Sequence, residues 1–135
     1  MPLQIGEIFD LLYKAKKPAE KIEILKRNDS KTLRELLRLN FDKNIEFDLP
    51  EGDPPFRECK EPVAYSTLAM EWRKMYLFIK GKQNLKPIKR ESLFIGLLES
   101  VSATEAKVLL EVKDRKLKVV TLKQVQAAFP DFPIK

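Results

Sequence analysis

The sequence contains no histidine and a single cysteine, Cys59. Without imidazole it lacks the side chain that titrates near neutral pH, the base of a serine triad and the commonest zinc ligand. One thiol forms no intramolecular disulfide, which fits a reducing compartment, and as a nucleophile it has no histidine to activate it. Cys59 therefore reads as an incidental loop thiol. Glycine is scarce, and Gly6, Gly52, Gly81 and Gly96 stand isolated, so no glycine-rich phosphate loop exists. No apolar run is long enough to span a bilayer. Met1-Pro2-Leu3-Gln4 lacks the basic-then-apolar pattern of a signal peptide. The carboxylates Asp48, Glu51 and Asp53 do not follow the regular alternation of a calcium loop. A glycosidase-type carboxylate pair needs a cleft for which 135 residues leave little room. These absences predict a small, soluble, intracellular protein that is not an enzyme, uses no cofactor or metal, does not enter a membrane, and acts by binding a partner.

What is present is helical periodicity. With 44% hydrophobic and 34% charged residues the chain has an ordinary globular balance, and its length suits one domain over 1–135. Ile5, Ile8, Phe9 and Leu12 predict a helix from Leu3 to Lys16. Pro18 opens a second, with Ile22 and Leu25 as a short apolar edge, and Asn28-Asp29-Ser30 stops it and caps a third that buries Leu33, Leu36 and Leu37. A fourth starts near Ser66, carries Leu68, Trp72, Met75, Tyr76 and Ile79 as one stripe, and ends at Gly81. Pro87 opens a fifth, with Phe94, Leu97, Leu98 and Val101 inward. Ser102-x-x-Glu105 and Thr121-x-x-Gln124 fit capping boxes for two more. Ile45–Leu49 and Val119-Val120 are weak strand candidates.

Residues 44–62 break the pattern. Pro50, Pro54, Pro55 and Pro62 with Gly52 exclude helix, and six carboxylates face two cations there. Some of Ile45, Phe47, Leu49 and Phe56 should pin this segment to the helices. The predicted fold is all-α: a compact single-domain bundle of six to seven short helices with one long acidic proline-rich loop.

The formal net charge is +6, which fits a polyanionic partner, either nucleic acid or an acidic protein surface, and equally a lysine-rich solvated surface. The charge is most uneven between Arg73 and Arg90. Arg73, Lys74, Lys80, Lys82, Lys86, Lys89 and Arg90 occur there without one acidic residue. Lysines would meet phosphates as point charges, arginines bidentately, and the start of the fifth helix offers free N–H groups. Tyr76 or Phe78 could stack on a base if exposed, although both suit a core. The same lysines also complement a helix dipole, and the acidic loop could fold over them. A second run, Lys113, Arg115, Lys116 and Lys118, allows a helix-turn-helix reading with only Lys123, Gln124 and Gln126 to reach base edges. At the C-terminus, Phe129 and Phe132 alternate with prolines; they either dock on a partner or pack on this protein's own core.

Several strings carry a family resemblance: Leu36 to Arg38, Phe41-Asp42, Leu49-Pro50-Glu51-Gly52-Asp53-Pro54-Pro55, Arg90-Glu91-Ser92-Leu93-Phe94-Ile95-Gly96-Leu97-Leu98-Glu99-Ser100, Glu105-Ala106-Lys107, Val112 to Leu117 and Ala128-Phe129-Pro130. Over nearly its whole length the chain resembles a family of small uncharacterised proteins of tailed bacteriophages, including myoviruses of cyanobacteria. The resemblance implies a viral protein in the cytoplasm of an infected bacterium, or in the virion. It supplies no activity and no catalytic residues. Two functions follow as expectations: a non-enzymatic phage accessory protein binding nucleic acid or a nucleic-acid-processing machine through the basic segment, or a protein-interaction module (host-factor modulator or virion component) using the acidic loop or the aromatic tail.

Overall fold

The computed structural model describes residues 3–60 and 63–134. Met1, Pro2, Glu61, Pro62 and Lys135, on which parts of the leader, loop and tail readings fall, lie outside the described residues.

The described residues form seven α-helices and one 3-10 helix, with no sheet. Helix α1 runs Ile5–Lys14 and buries Ile5, Ile8, Phe9 and Leu12. It is shorter than its periodicity suggested, because Ala15 turns extended and its N–H closes the last turn on the Leu11 carbonyl. Lys17, held extended by the proline that follows, leads into α2, Pro18–Arg27, whose inward anchor is Leu25. The Ser30 hydroxyl accepts the Leu33 N–H at 3.1 Å and starts α3, Lys31–Phe41.

No helix occurs in the described residues between Phe41 and Leu68. Ile45, Leu49 and Phe56 pack against the core and Phe47 enters it, so the apolar residues do pin this segment. The strand expected at 45–49 reduces to one antiparallel bridge, Phe47 with Ile79. The Asp48 N–H donates to the Phe78 carbonyl and the Lys80 N–H to the Glu46 carbonyl, both at 2.8 Å.

The expected fourth helix is two elements. Helix α4, Leu68–Glu71, passes directly into the 3-10 helix Trp72–Phe78. At three residues per turn, positions i and i+3 eclipse. Met75 and Phe78 therefore share the buried side, while Tyr76, assigned to the stripe from α-helical spacing, is 55% exposed. Helix α5 spans Pro87–Ser100, and Phe94 meets Phe78 edge to face at a centroid distance of 5.2 Å.

Helix α6, Ala103–Lys113, is the axle of the fold. It packs against α1, α3 and α5, and buries Ala106, Val108, Leu109, Leu110 and Val112. Burial on nearly every side explains why it shows only a weak apolar stripe. The link to α7, Leu122–Ala128, is not a strand. Asn40 of α3 holds it through its amide, accepting the Leu117 N–H at 3.2 Å and donating to the Leu117 carbonyl at 3.3 Å. Thr121 and Gln124 form the full reciprocal capping box. Helix α7 packs on α2.

Candidate nucleic-acid interface

The basic segment is organised by the turn between the 3-10 helix and α5. Gly81, with φ +85°, makes the left-handed turn there, a conformation without the penalty a Cβ would bring. Lys82 and Lys86 are exposed beyond it, Lys86 as the N-cap of α5, and Lys89 is exposed in that helix's first turn. No side chain caps this N-terminus and no acidic residue stands in its first turn. Three lysines thus flank a positive helix end. Arg73 is exposed on the 3-10 helix, which packs against α5, and Tyr76 projects from that same element.

The seven cations are not equivalent. Lys74 pairs with Glu71 at 3.1 Å and Lys80 with Glu46 at 3.4 Å. Arg73, Lys82, Lys86 and Lys89 have no carboxylate partner among the described residues. The acidic loop thus folds over part of the segment, with Glu46 on Lys80, and leaves those four cations unpaired.

Arg90 requires a correction. It is 8% exposed, and its guanidinium is spent inside the protein. It donates to the backbone carbonyls of Asp48 and Leu85, the latter at 2.8 Å, and its third nitrogen, Nη2, lies 3.4 Å from an Asp48 carboxylate oxygen. A buried guanidinium must satisfy its donors internally, so Arg90 ties the loop to α5 and presents nothing to a phosphate.

The aromatic tail is corrected in the same way. Phe129 is 1% and Phe132 is 5% exposed, so both belong to this protein's own core rather than to a partner's groove. The Gln126 amide donates to the Ile134 carbonyl at 2.8 Å and folds the tail back.

The helix-turn-helix reading keeps only Lys118 and Lys123 exposed and without a carboxylate partner among the described residues. Lys113 is buried, with its ammonium donating to the Pro50 carbonyl at 2.7 Å and to Asp114 at 2.6 Å. The Arg115 guanidinium donates to the Ile45 carbonyl, and Lys116 lies 3.4 Å from Glu51. Gln124 and Gln126 are held by Thr121 and Ile134.

The chain belongs to DUF6433, a family of unknown function. The DUF6433 model matches residues 8–119, which includes the basic turn and the acidic loop and stops short of α7. No curated protein and no solved structure matches the chain.

Two features of this DUF6433 chain escaped the sequence. One is the carboxylate of Glu105, 2% exposed, which joins three helix starts. The other is a cavity of about 200 Å³ between the loop and α5. Both depend on contacts between residues far apart in the chain. The one local signal was Gly6: a Cβ there would lie 2.9 Å from the Ser102 hydroxyl oxygen and 3.0 Å from the Glu105 Cγ.

Proposed function

We propose that this chain is a non-enzymatic accessory protein of a tailed bacteriophage that binds nucleic acid, or a machine acting on it, in the cytoplasm of the infected bacterium. The binding face is Arg73, Lys82, Lys86 and Lys89. The phage assignment rests on the resemblance of the Leu49–Pro55 and Arg90–Ser100 strings. The observation that carries the binding assignment is a set of cations left without carboxylate partners among the described residues, three of them around the uncapped start of α5. Exposed Tyr76 adds a flat aromatic surface for an unpaired base. The described residues contain no helix long and apolar enough to cross a membrane.

Anisotropy of labelled single-stranded and duplex oligonucleotides, titrated across a range of salt concentrations, tests this. Four phosphate contacts give a duplex a log–log salt slope of about −3 to −4. Replacing Lys82, Lys86 and Lys89 together by glutamine removes about three units of that slope. Tyr76→Ala weakens the single strand by about 1–3 kcal/mol and spares the duplex. Absence of binding at low salt, or binding indifferent to the lysine changes, overturns the assignment.

A further inference from the structure

A second site lies between the loop and α5, and none of the four free cations lines it. The loop lies against α5 and α6 and walls a half-open cavity of about 200 Å³. Leu49, Pro54, Phe94 and Ile95 supply apolar walls. Glu51, Asp53 and Glu91 also line it, with Glu51 and Asp53 exposed and Glu91 half-buried, so its mouth is acidic. On a chain of net charge +6 this is a local reversal.

The cavity is held open by fixed contacts. Pro50 accepts from the Lys113 ammonium at 2.7 Å, the Gly52 N–H donates to Asp114 at 3.0 Å, and the Arg57 N–H donates to Glu99 at 2.7 Å. Gly52, with φ +91°, makes the turn between them. Such a preformed site spares a ligand the cost of ordering the loop.

Size, charge and donor state together select the occupant. Drug-sized ligands use about 300–1,000 Å³, so this volume suits a single side chain. Lys113, the one cation in the lining, is neutralised by Asp114 at 2.6 Å, so an anion gains nothing there. No group of three or more metal-ligating side chains comes together among the described residues, so the carboxylates do not converge on a metal ion. Asp53 and Glu91 have no ion-pair or hydrogen-bond partner among the described residues, whereas Glu51 shares its charge with Lys116. An arginine fits these conditions. Its aliphatic stem packs on apolar walls, and its weakly hydrated, planar guanidinium reaches carboxylates at the mouth.

We propose that this cavity is a docking site for an arginine side chain carried, between apolar neighbours, by a partner protein. The test is titration of the ¹⁵N-labelled full chain with a capped leucine–arginine–leucine peptide, with the same peptide carrying neutral citrulline as control. The expected result is saturable amide shifts at Gly52, Glu91 and Ile95 in the millimolar range, with citrulline at least about tenfold weaker. Asp53→Asn with Glu91→Gln weakens the arginine peptide by about the same factor. The citrulline comparison on the unaltered protein decides the question even if that double variant is poorly folded. No localised shift at millimolar peptide, equal binding of citrulline, or shifts confined to Lys82–Lys89 overturns the proposal.

Discussion

The carboxylate of Glu105 accepts the backbone N–H of Gly6, at 3.0 Å, from the far end of the sequence. Its other oxygen accepts the Leu68 N–H at 2.9 Å, while its own N–H donates to the Ser102 hydroxyl. Only half of the expected Ser102 capping box therefore forms. The side chain that would have returned to Ser102 instead satisfies two free donors at the starts of α1 and α4. One buried carboxylate fixes three helix starts, and no apolar residue could do this.

This arrangement has a pH signature. Burial from water is the leading effect and raises the Glu105 carboxyl above its ordinary range, helped by the nearby Glu7 charge, while the two N–H bonds act in the opposite direction. A folded-state pKa above the unfolded value of about 4.3 means that folding favours the protonated form. Its contribution is complete below that pH and declines as pH rises through the folded value. Protonated Glu105 and a glutamine each offer one carbonyl acceptor and a donor, so Glu105→Gln stands close to the native chain at pH 4. Urea unfolding at pH 4, 5.5 and 7 should show the native chain losing stability relative to this variant as pH rises. A native chain that gains on the variant with rising pH contradicts the reading.

Two glycines in helices should respond oppositely to alanine. At Gly6 a methyl meets Ser102 and Glu105 at 3.0 Å or less, and both are fixed by capping and buried bonds. Overpacking costs about 1–3 kcal/mol, which outweighs the propensity gained at a helix end. At Gly96, in mid-α5, nothing lies within 4 Å, so alanine there gains about 1 kcal/mol of helix propensity. Thermal or urea midpoints of Gly6→Ala and Gly96→Ala should move to opposite sides of the native value. A shift in the same direction for both would mean that the close approach at Gly6 is not a constraint.

The helices were legible because their signals are local. Ile5, Ile8, Phe9 and Leu12 repeat at helical spacing, and Ser30, Ser102 and Thr121 sit where their oxygens meet N–H groups three residues on. The 3-10 helix was not legible, since Trp72 and Met75, three residues apart, fit either period and only Tyr76 and Phe78 tell them apart. Arg90 was read as a surface cation because its partner, Asp48, is 42 residues away. Sequence spacing marked where positive charge accumulates. It carried no information about which cations the loop would consume, because that depends on how residues 46–53 cross α5.

The C-terminal segment gives the last expectation. Arg34 of α3 grips Asp29 through two nitrogens, at 2.7 and 2.8 Å, and reaches Asp131 at 2.8 Å. Its guanidinium also lies 4.5 Å from the centroid of the Phe129 ring. The hydrogen bond to Arg34 is the main reason the Asp29 carboxyl sits below its usual range. That part of the clamp is in place above about pH 3.9 and weakens as pH falls through the lowered value. Both carboxylates are substantially exposed, so the ion pairs contribute little by themselves. The aromatic burial dominates. Phe132→Ala should cost about 3–5 kcal/mol. Arg34→Ala should cost about 1 kcal/mol and speed hydrogen exchange at the Phe132 N–H, which bonds the Phe129 carbonyl at 2.9 Å. A tail that served as a free docking peptide would leave the unfolding midpoint unchanged in Phe132→Ala, and that outcome would return Phe129 and Phe132 to the partner-binding role.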